Sequence, residues 1–325
     1  MNNGTYSYDW SDLAFGSKKV LNDLKPIFIA APRELSEDRF VSLVKQYLPN
    51  GNIVLGLAKE EYIEGFNGQP QFRTLQLKPV TRIIERVNKS KSPHKVYTLH
   101  YLQREQPFIL EKLKLTRAVF INGSWQRSFH LTPSFYVLVN RRVPYELVSP
   151  FVSEQEAKDY ALNFEKSNKL QPAQNQLYSL SDMFTLVEQA SKQSFDHTFQ
   201  TGAVLGKKTG SKYSLLTAAY NKIVPYQTYA MHHGALRERH FSPPNDLNHY
   251  DTVHAEVRLI LKAQQQKLSL KNTTMFINLM PCPTCARMLA ESDITHFVYQ
   301  HDHSDGYALK LLEAAGKKVE RSALS

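Results

Sequence analysis

Cysteine is nearly absent: the 325-residue chain holds two, Cys282 and Cys285, three positions apart. A structural disulfide framework would not rest on one adjacent pair in a chain of this length. A redox C-x-x-C would follow a strand in a thioredoxin-like setting, and metal ligation is the stronger reading of the spacing. Long apolar runs are missing too. No stretch of about 18 apolar residues occurs, which argues against a membrane-spanning helix. Met1–Trp10 is polar and lacks the basic-then-apolar order of a secretory signal, so a cytoplasmic address is expected. Phosphate-cradling loops are absent as well: there is no G-x-x-x-x-G-K-[ST], and no G-x-G-x-x-G after a strand.

What is present is a globular composition, 42% hydrophobic and 22% charged, long enough for two domains. Forty Lys and Arg against thirty Asp and Glu give +10, and most of that excess falls in residues 1–170. Such a balance suits a polyanionic partner, but ordinary solvated lysines account for it equally well.

Residues 1–166 read as an α/β domain. Short apolar runs at Pro26–Ala31, Asn52–Leu57, Lys95–Tyr101, Arg117–Ile121 and Ser134–Val139 predict strands. Ser36–Tyr47 predicts a helix with Phe40, Val41, Val44 and Tyr47 on one face. This alternation favours a partly parallel, Rossmann-like sheet. Asn122–His130 is polar and aromatic; it reads as a turn with Trp125 and Phe129 packing inward, a pocket wall being the alternative. Ser153 and Glu156 form a capping-box pattern that opens a helix running to about Lys166. The stretch 167–181, rich in Asn, Gln and Ser, reads as a linker.

Residues 182–325 read as α-β-β-α-β-α-β-α. A helix is expected at Asp182–Ser194, and strands at Thr201–Lys207 and Leu215–Asn221 joined through Thr209-Gly210. A polar insertion follows at Lys222–Thr252. Helices then start near His254 and Cys282, separated by a strand at Thr274–Leu279, before a strand at His296–Gln300 and a helix at Tyr307–Ala315 that stops at Gly316.

Two segments here carry chemistry: His254-Ala-Glu256 and Pro281-Cys-Pro-Thr-Cys285. Together they make the H-x-E…P-C-x-x-C signature of zinc deaminases. A catalytic zinc takes three protein ligands and keeps a fourth position for water, and one imidazole with two thiolates supplies the three. Cys282 and Cys285 on a first helical turn place both sulfurs on one side, where unpaired amides favour thiolate. His254 must then come from a second helix start. Zinc lowers the pKa of a bound water from about 15.7 toward about 7, making hydroxide available. Glu256 would take the water's proton and pass protons to the ring nitrogen and the leaving ammonia. A purely structural zinc site would want a fourth Cys or His and has no use for Glu256.

From about Asp182 to Val319 the chain resembles the cytidine/deoxycytidylate deaminase superfamily, and most of all its dCMP deaminase branch. Thr201-Gly-Ala-Val204 resembles the branch's first strand and Ala218-Ala-Tyr-Asn221 its second. Thr274–Pro281 resembles the strand feeding the cysteine helix, and Asp302, Asp305, Tyr307, Lys310, Leu312 and Ala315-Gly316 follow the branch's C-terminal pattern. The resemblance implies a three-layer α/β/α domain with a mixed five-stranded sheet, assembly into homo-oligomers (dimers or hexamers), and hydrolysis of dCMP to dUMP and ammonia. It also implies that Asn221 bonds the sugar and that the backbone of Ala255 meets the base edge. Where the branch reads H-A-E-x-N-A, this chain has Val257-Arg258-Leu259 after Glu256. Arg258, and Arg237 and Arg239 of the insertion, become candidates for the substrate phosphate. The insertion's His232, His233, His240 and His249 bring no cysteine for a second zinc site.

Two other functions stay open on sequence alone. One is deamination of a base within RNA or single-stranded DNA, disfavoured because the basic excess is diffuse and lies in the other half. The other is a non-enzymatic, zinc-stabilised binding module, against which Glu256 argues.

Overall fold

The computed structural model describes residues 6–16, 18–63, 71–75, 77–170, 176–224, 227–234, 252–302 and 304–322. The chain divides into two compact units. The first is Met1–Asp159 with Thr228–Pro244, and the second is Tyr160–Gln227 with Asn245–Ser325. The division thus falls inside the Glu154–Ser167 helix, and part of the insertion is assigned to the first unit. Among the described residues no helix is long and apolar enough to cross a membrane.

In the first unit six strands form one sheet: β1 (Tyr6–Asp9), β2 (Ile27–Ala30), β3 (Ile53–Ala58), β4 (Val96–Tyr101), β5 (Arg117–Ile121) and β6 (Tyr145–Val148). Their order is β1-β4-β3-β2-β5-β6 and every pairing is parallel. Parallel strands need both faces covered, which is why β2 is buried along its whole length. One face packs on the Glu37–Tyr47 and Leu77–Lys89 helices through Phe40, Leu43, Val44, Val80 and Ile84. The other packs on the Gln106–Lys112 and Pro133–Asn140 helices through Ile109, Leu110 and Leu138. From β2 the chain winds outward to β3 and β4; from β5 it winds the opposite way to β6. The two directions part between the adjacent strands β2 and β5, and ligands of doubly wound sheets lie beyond the strand ends at such a point.

Local signals explain several elements. Ser36 caps its helix by accepting from the Arg39 amide at 3.0 Å. The buried stripe of that helix runs through Leu43, with Val41 only partly buried. Ser153 accepts from the Glu156 amide at 3.2 Å, while the Glu156 carboxylate reaches back to the Val152 amide at 2.7 Å. One expectation fails: residues 134–139 are helical, in Pro133–Asn140. The apolar, aromatic run reads as a strand, but Thr132 accepts from the Phe135 amide and Pro133 occupies the first turn, which together start a helix.

The second unit has a mixed sheet of six strands, ordered β14-β13-β12-β8-β9-β7. These are β7 (Leu177–Tyr178), β8 (Gly202–Thr209), β9 (Lys212–Tyr220), β12 (Thr273–Leu279), β13 (His296–His301) and β14 (Lys318–Arg321); β10 (Lys222–Ile223) and β11 (Thr252–Val253) pair separately. The expected five strands become six because Leu177–Tyr178, within the stretch read as linker, pairs antiparallel with the outer edge of β9. Strands β12, β13 and β14 run parallel, and β8 and β9 form the antiparallel hairpin closed at Gly210, whose φ is +61°. The Leu180–Ser191 helix starts two residues before the expected Asp182, because Ser179 and Asp182 make a complete capping box. It packs Met183, Phe184 and Val187 on one sheet face. The helices Ala255–Gln265, Pro283–Ala290 and Tyr307–Ala314 cover the other through Leu259, Ala263, Leu289 and Leu312. At Gly202 the Leu180–Ser191 helix comes so close that a Cβ would stand 2.2 Å from the Val187 carbonyl oxygen.

Candidate active site

The chemistry gathers at two helix starts and one strand end. His254 follows β11 and is the N-cap of Ala255–Gln265, with extended backbone angles of −64° and 153°. Cys282 follows β12 and is the N-cap of Pro283–Ala290, with angles of −63° and 163°. The Cys285 amide donates to the Cys282 sulfur at 3.4 Å, so the sulfur occupies the place of a capping oxygen. Each helix then begins conventionally, the Arg258 amide donating to the His254 carbonyl and the Ala286 amide to that of Cys282.

These starts bring three donor atoms together. His254 Nδ1 lies 3.5 Å from Cys282 Sγ and 3.3 Å from Cys285 Sγ, and all three lie within 4.8 Å of one another. A tetrahedral zinc with Zn–N of about 2.0 Å and Zn–S of about 2.3 Å sets N···S separations of about 3.5 Å. The donors therefore fit zinc both in kind and in spacing. The sulfurs differ in surroundings: Cys285 is buried and Cys282 half-buried. In the hydrogen bond between them Cys285 acts as donor, which holds the Cys282 thiol low and pushes the Cys285 thiol up. The bond between its own Nδ1 and Cys282 Sγ raises His254 above its ordinary value.

Glu256, one residue into the His254 helix, is 3% exposed. Burial raises its carboxyl above the ordinary range; its own backbone amide and the nearby imidazole oppose that rise. Its side chain also bonds Cys285. A carboxyl is thus enclosed beside the His254 and Cys285 side chains. Ala255 between the two is fully buried.

Asn221 sits just past the end of β9 and is 4% exposed. Its Oδ1 accepts from the Thr201 amide at 2.9 Å, and its Nδ2 donates to the Phe199 carbonyl at 3.0 Å and approaches Asp196 Oδ2 at 3.4 Å. Arg258 lies over the Tyr220 ring, 4.3 Å from its centroid, and donates from Nη1 to the Tyr220 carbonyl at 2.7 Å. Its guanidinium is thereby tied to the end of β9, beside Asn221. Arg237 and Arg239 lie outside the described residues, as do His240 and His249. His232 and His233 belong to the Gln227–His233 helix, where His232 contacts Ser149 and Glu154.

Sequence reading missed Asp196. Its carboxylate accepts from Thr252 Oγ1 at 3.4 Å, meets the Asn221 amide, and its charge reaches His254. It missed Asn278 too, which bonds the Gly202 amide and the Gln200 carbonyl, both at 2.9 Å, and so fixes the approach to β8. No spacing marks either residue; the fold alone brings Asp196 near His254 and Asn278 to the start of β8.

Residues 178–301 match the cytidine and deoxycytidylate deaminase zinc-binding region. Deoxycytidylate deaminases of Enterobacteria phages T2 and T4 are each 36% identical over 64 residues, which is 20% of this chain. The chain spans about a third of the length of these curated relatives, 34% and 33%. Among solved structures, the dCMP deaminase of cyanophage S-TIM5 in complex with dCMP and dUMP aligns at 20% identity and a TM-score of 0.35. That alignment covers 44% of this chain and 94% of the other. The matched region is a zinc-binding one and contains His254, Glu256, Cys282 and Cys285. The likeness to the cytidine and deoxycytidylate deaminase zinc-binding region thus lies in residues 178–301, within the C-terminal half of the chain.

Proposed function

We propose that the second unit hydrolyses the exocyclic amine of a cytosine nucleotide, dCMP in particular, giving dUMP and ammonia. The observation that carries this reading is the enclosed Glu256 carboxyl beside the convergent His254, Cys282 and Cys285 donors. Zinc held there supplies a Lewis acid that makes a water acidic near neutral pH. Glu256 carries one proton of the attacking water to the ring nitrogen, and the second, from the hydroxyl that attack leaves on the carbon, to the departing amine as the new C=O forms. The backbone of Ala255 faces the base edge. Asn221 orients the sugar from a position braced by Thr201 and Phe199, and Arg258 both holds the end of β9 and offers its remaining N–H groups to the phosphate. The relatives' dCMP chemistry supports this choice of substrate, and the doubly wound order of the first unit supports a separate Rossmann-like domain before it.

Ammonia release from dCMP, dCTP, cytidine and short oligonucleotides tests the proposal. We expect turnover of dCMP well above cytidine, and loss of about 10²–10⁴ in kcat for Glu256→Gln with zinc retained. Turnover of oligonucleotides alone would overturn the substrate. Undiminished turnover in Glu256→Gln would overturn the mechanism.

A further inference from the structure

Strands β1 and β4 are parallel neighbours, and each leads into a helix on the same face of the first sheet. These helices are Trp10–Phe15 and Gln106–Lys112. Trp10 and Leu13 of the one, and Ile109 and Leu110 of the other, bury in a shared core. Along their outer flanks runs a groove of about 350 Å³, open to solvent on one side. Small-molecule sites occupy about 300–1,000 Å³, so this one has room for a ligand. Each wall repeats at helical spacing: Trp10, Ala14 and Lys18 on one, Arg104, Phe108 and Lys112 on the other, with Glu105 beside Arg104.

Ring surface and positive charge meet in this groove. Phe108 is 57% exposed, and the Lys18 ammonium stands 4.9 Å from the centre of the Trp10 ring. Among the described residues no carboxylate pairs with Lys18 or Arg104. Lys112 meets Glu111 at 3.5 Å in an exposed pair, which is worth little. Glu105 gives its carboxylate to the Leu102 amide at 2.7 Å. Three cations on one groove favour an occupant with two or more negative charges, a phosphate ester rather than a single carboxylate. One exposed ring, with the small Ala14 on the other wall, leaves space for one planar group. A single strand of nucleic acid would want successive rings along its path, whereas these walls run for about 12 Å at 1.5 Å per residue. We propose that this groove is a ligand site, built from other residues than the His254, Cys282 and Cys285 centre, which takes a nucleoside phosphate. The base lies against Phe108 and the phosphate groups between Lys18, Arg104 and Lys112. The inference rests on the first unit alone and stands whatever the substrate of the second.

The chain has two tryptophans, Trp10 and Trp125, so the two indole N–H signals of the full-length protein can be followed by NMR, with Trp125→Phe assigning them. ATP is a suitable probe, since a cytosine deaminase site does not consume it. It should shift the Trp10 signal and leave that of Trp125 in place. Adenosine, which lacks the charge, and tripolyphosphate, which lacks the ring, should each bind at least about tenfold more weakly. Phe108→Ala should weaken ATP binding at least about fivefold, the loss of one base–ring stack. Arg104→Glu with Lys112→Glu should weaken it at least about tenfold. These three side chains are exposed, so Tm should stay within about 2 °C of the parent in both variants. Absence of a Trp10 shift at millimolar ATP would overturn the proposal, as would unchanged affinity in either variant. Equal binding of tripolyphosphate would reduce the groove to a patch of charge and overturn it too. An oligothymidylate bound more than about a hundredfold tighter than ATP would assign the groove to a nucleic-acid strand instead.

Discussion

Asn221→Ala removes a buried amide that ties the end of β9 to residues 196–201, and the cost can be worked from its bonds. The Thr201 amide has its partner in Asn221 Oδ1 at 2.9 Å and sits on a residue only 7% exposed. Losing that acceptor strands a buried donor, at about 1–3 kcal/mol. The bond to the Phe199 carbonyl at 3.0 Å adds about 1 kcal/mol. A total near 3 kcal/mol in a unit of roughly 150 residues lowers Tm by about 6–12 °C. Differential scanning calorimetry of the full-length protein reads this directly. Asn221→Asp separates the bonds: it keeps the acceptor for Thr201, loses the donation to Phe199, and sets a second carboxylate beside Asp196, 3.4 Å from the present amide nitrogen. Its loss at pH 7 should equal or exceed that of the alanine variant. A Tm within about 2 °C of the parent for Asn221→Ala would refute the bracing role and leave Asn221 available for substrate alone.

Other outcomes follow from the same structure. Cys285→Ser should abolish stoichiometric zinc measured by plasma mass spectrometry. Chelation should lower the second unit's Tm too, since an ion bridging residues 28 apart in the chain restrains the unfolded state by about 3–4 kcal/mol; equal melting with and without chelator would refute it. Burial, and next Arg258, push the Lys262 ammonium down to about 8. Between about pH 8 and 10.5 the unfolded chain then binds more protons than the folded one, so this group's penalty is full below 8 and fades as pH rises through that window. Lys262→Met should therefore gain about 2 kcal/mol at pH 7, after losing the Lys262 bond to the Ala218 carbonyl, and should flatten the stability profile from pH 8 to 10.5; an unchanged slope would refute the assignment. Gly202→Ala would press a methyl against the Val187 oxygen and the Ser191 nitrogen, at 2.2 and 2.6 Å, both backbone atoms that cannot rotate away. A loss of about 3 kcal/mol in urea unfolding is expected, and a neutral result would refute the close approach.

How much of this was legible beforehand depended on how local the cause was. The strands β2, β3 and β5 announce themselves as apolar runs because a parallel strand is buried on both faces. The convergent donors His254, Cys282 and Cys285 were legible because ligand chemistry imposes residue type and spacing together. By contrast, Ser134–Val139 carries a strand-like composition, and one threonine and one proline before it decide for helix. Two residues of β7 owe their state to a partner strand thirty-odd positions on, as at Leu177 opposite Ser214. Asp196 reaches the site only through the path of the chain from the Leu180–Ser191 helix to β8, and no local pattern records that. The choice of Nδ1 rather than Nε2 on His254 depends on the angle at which its helix starts.

The assignment of Thr228–Pro244 to the first unit has a consequence for synthesis and for dissection of the gene. The first unit is not a prefix of the chain. Its Gln227–His233 helix, which meets Ser149 and Glu154 through His232, is translated only after β8 and β9 of the second unit. Vectorial folding, in which an upstream domain is finished before the next begins, is therefore not open to this protein. The ribosome must deliver half of one unit before the other can close. No single cut in the coding sequence separates the two, and a fragment ending at residue 166 would leave Glu154 and Ser149 without their histidine.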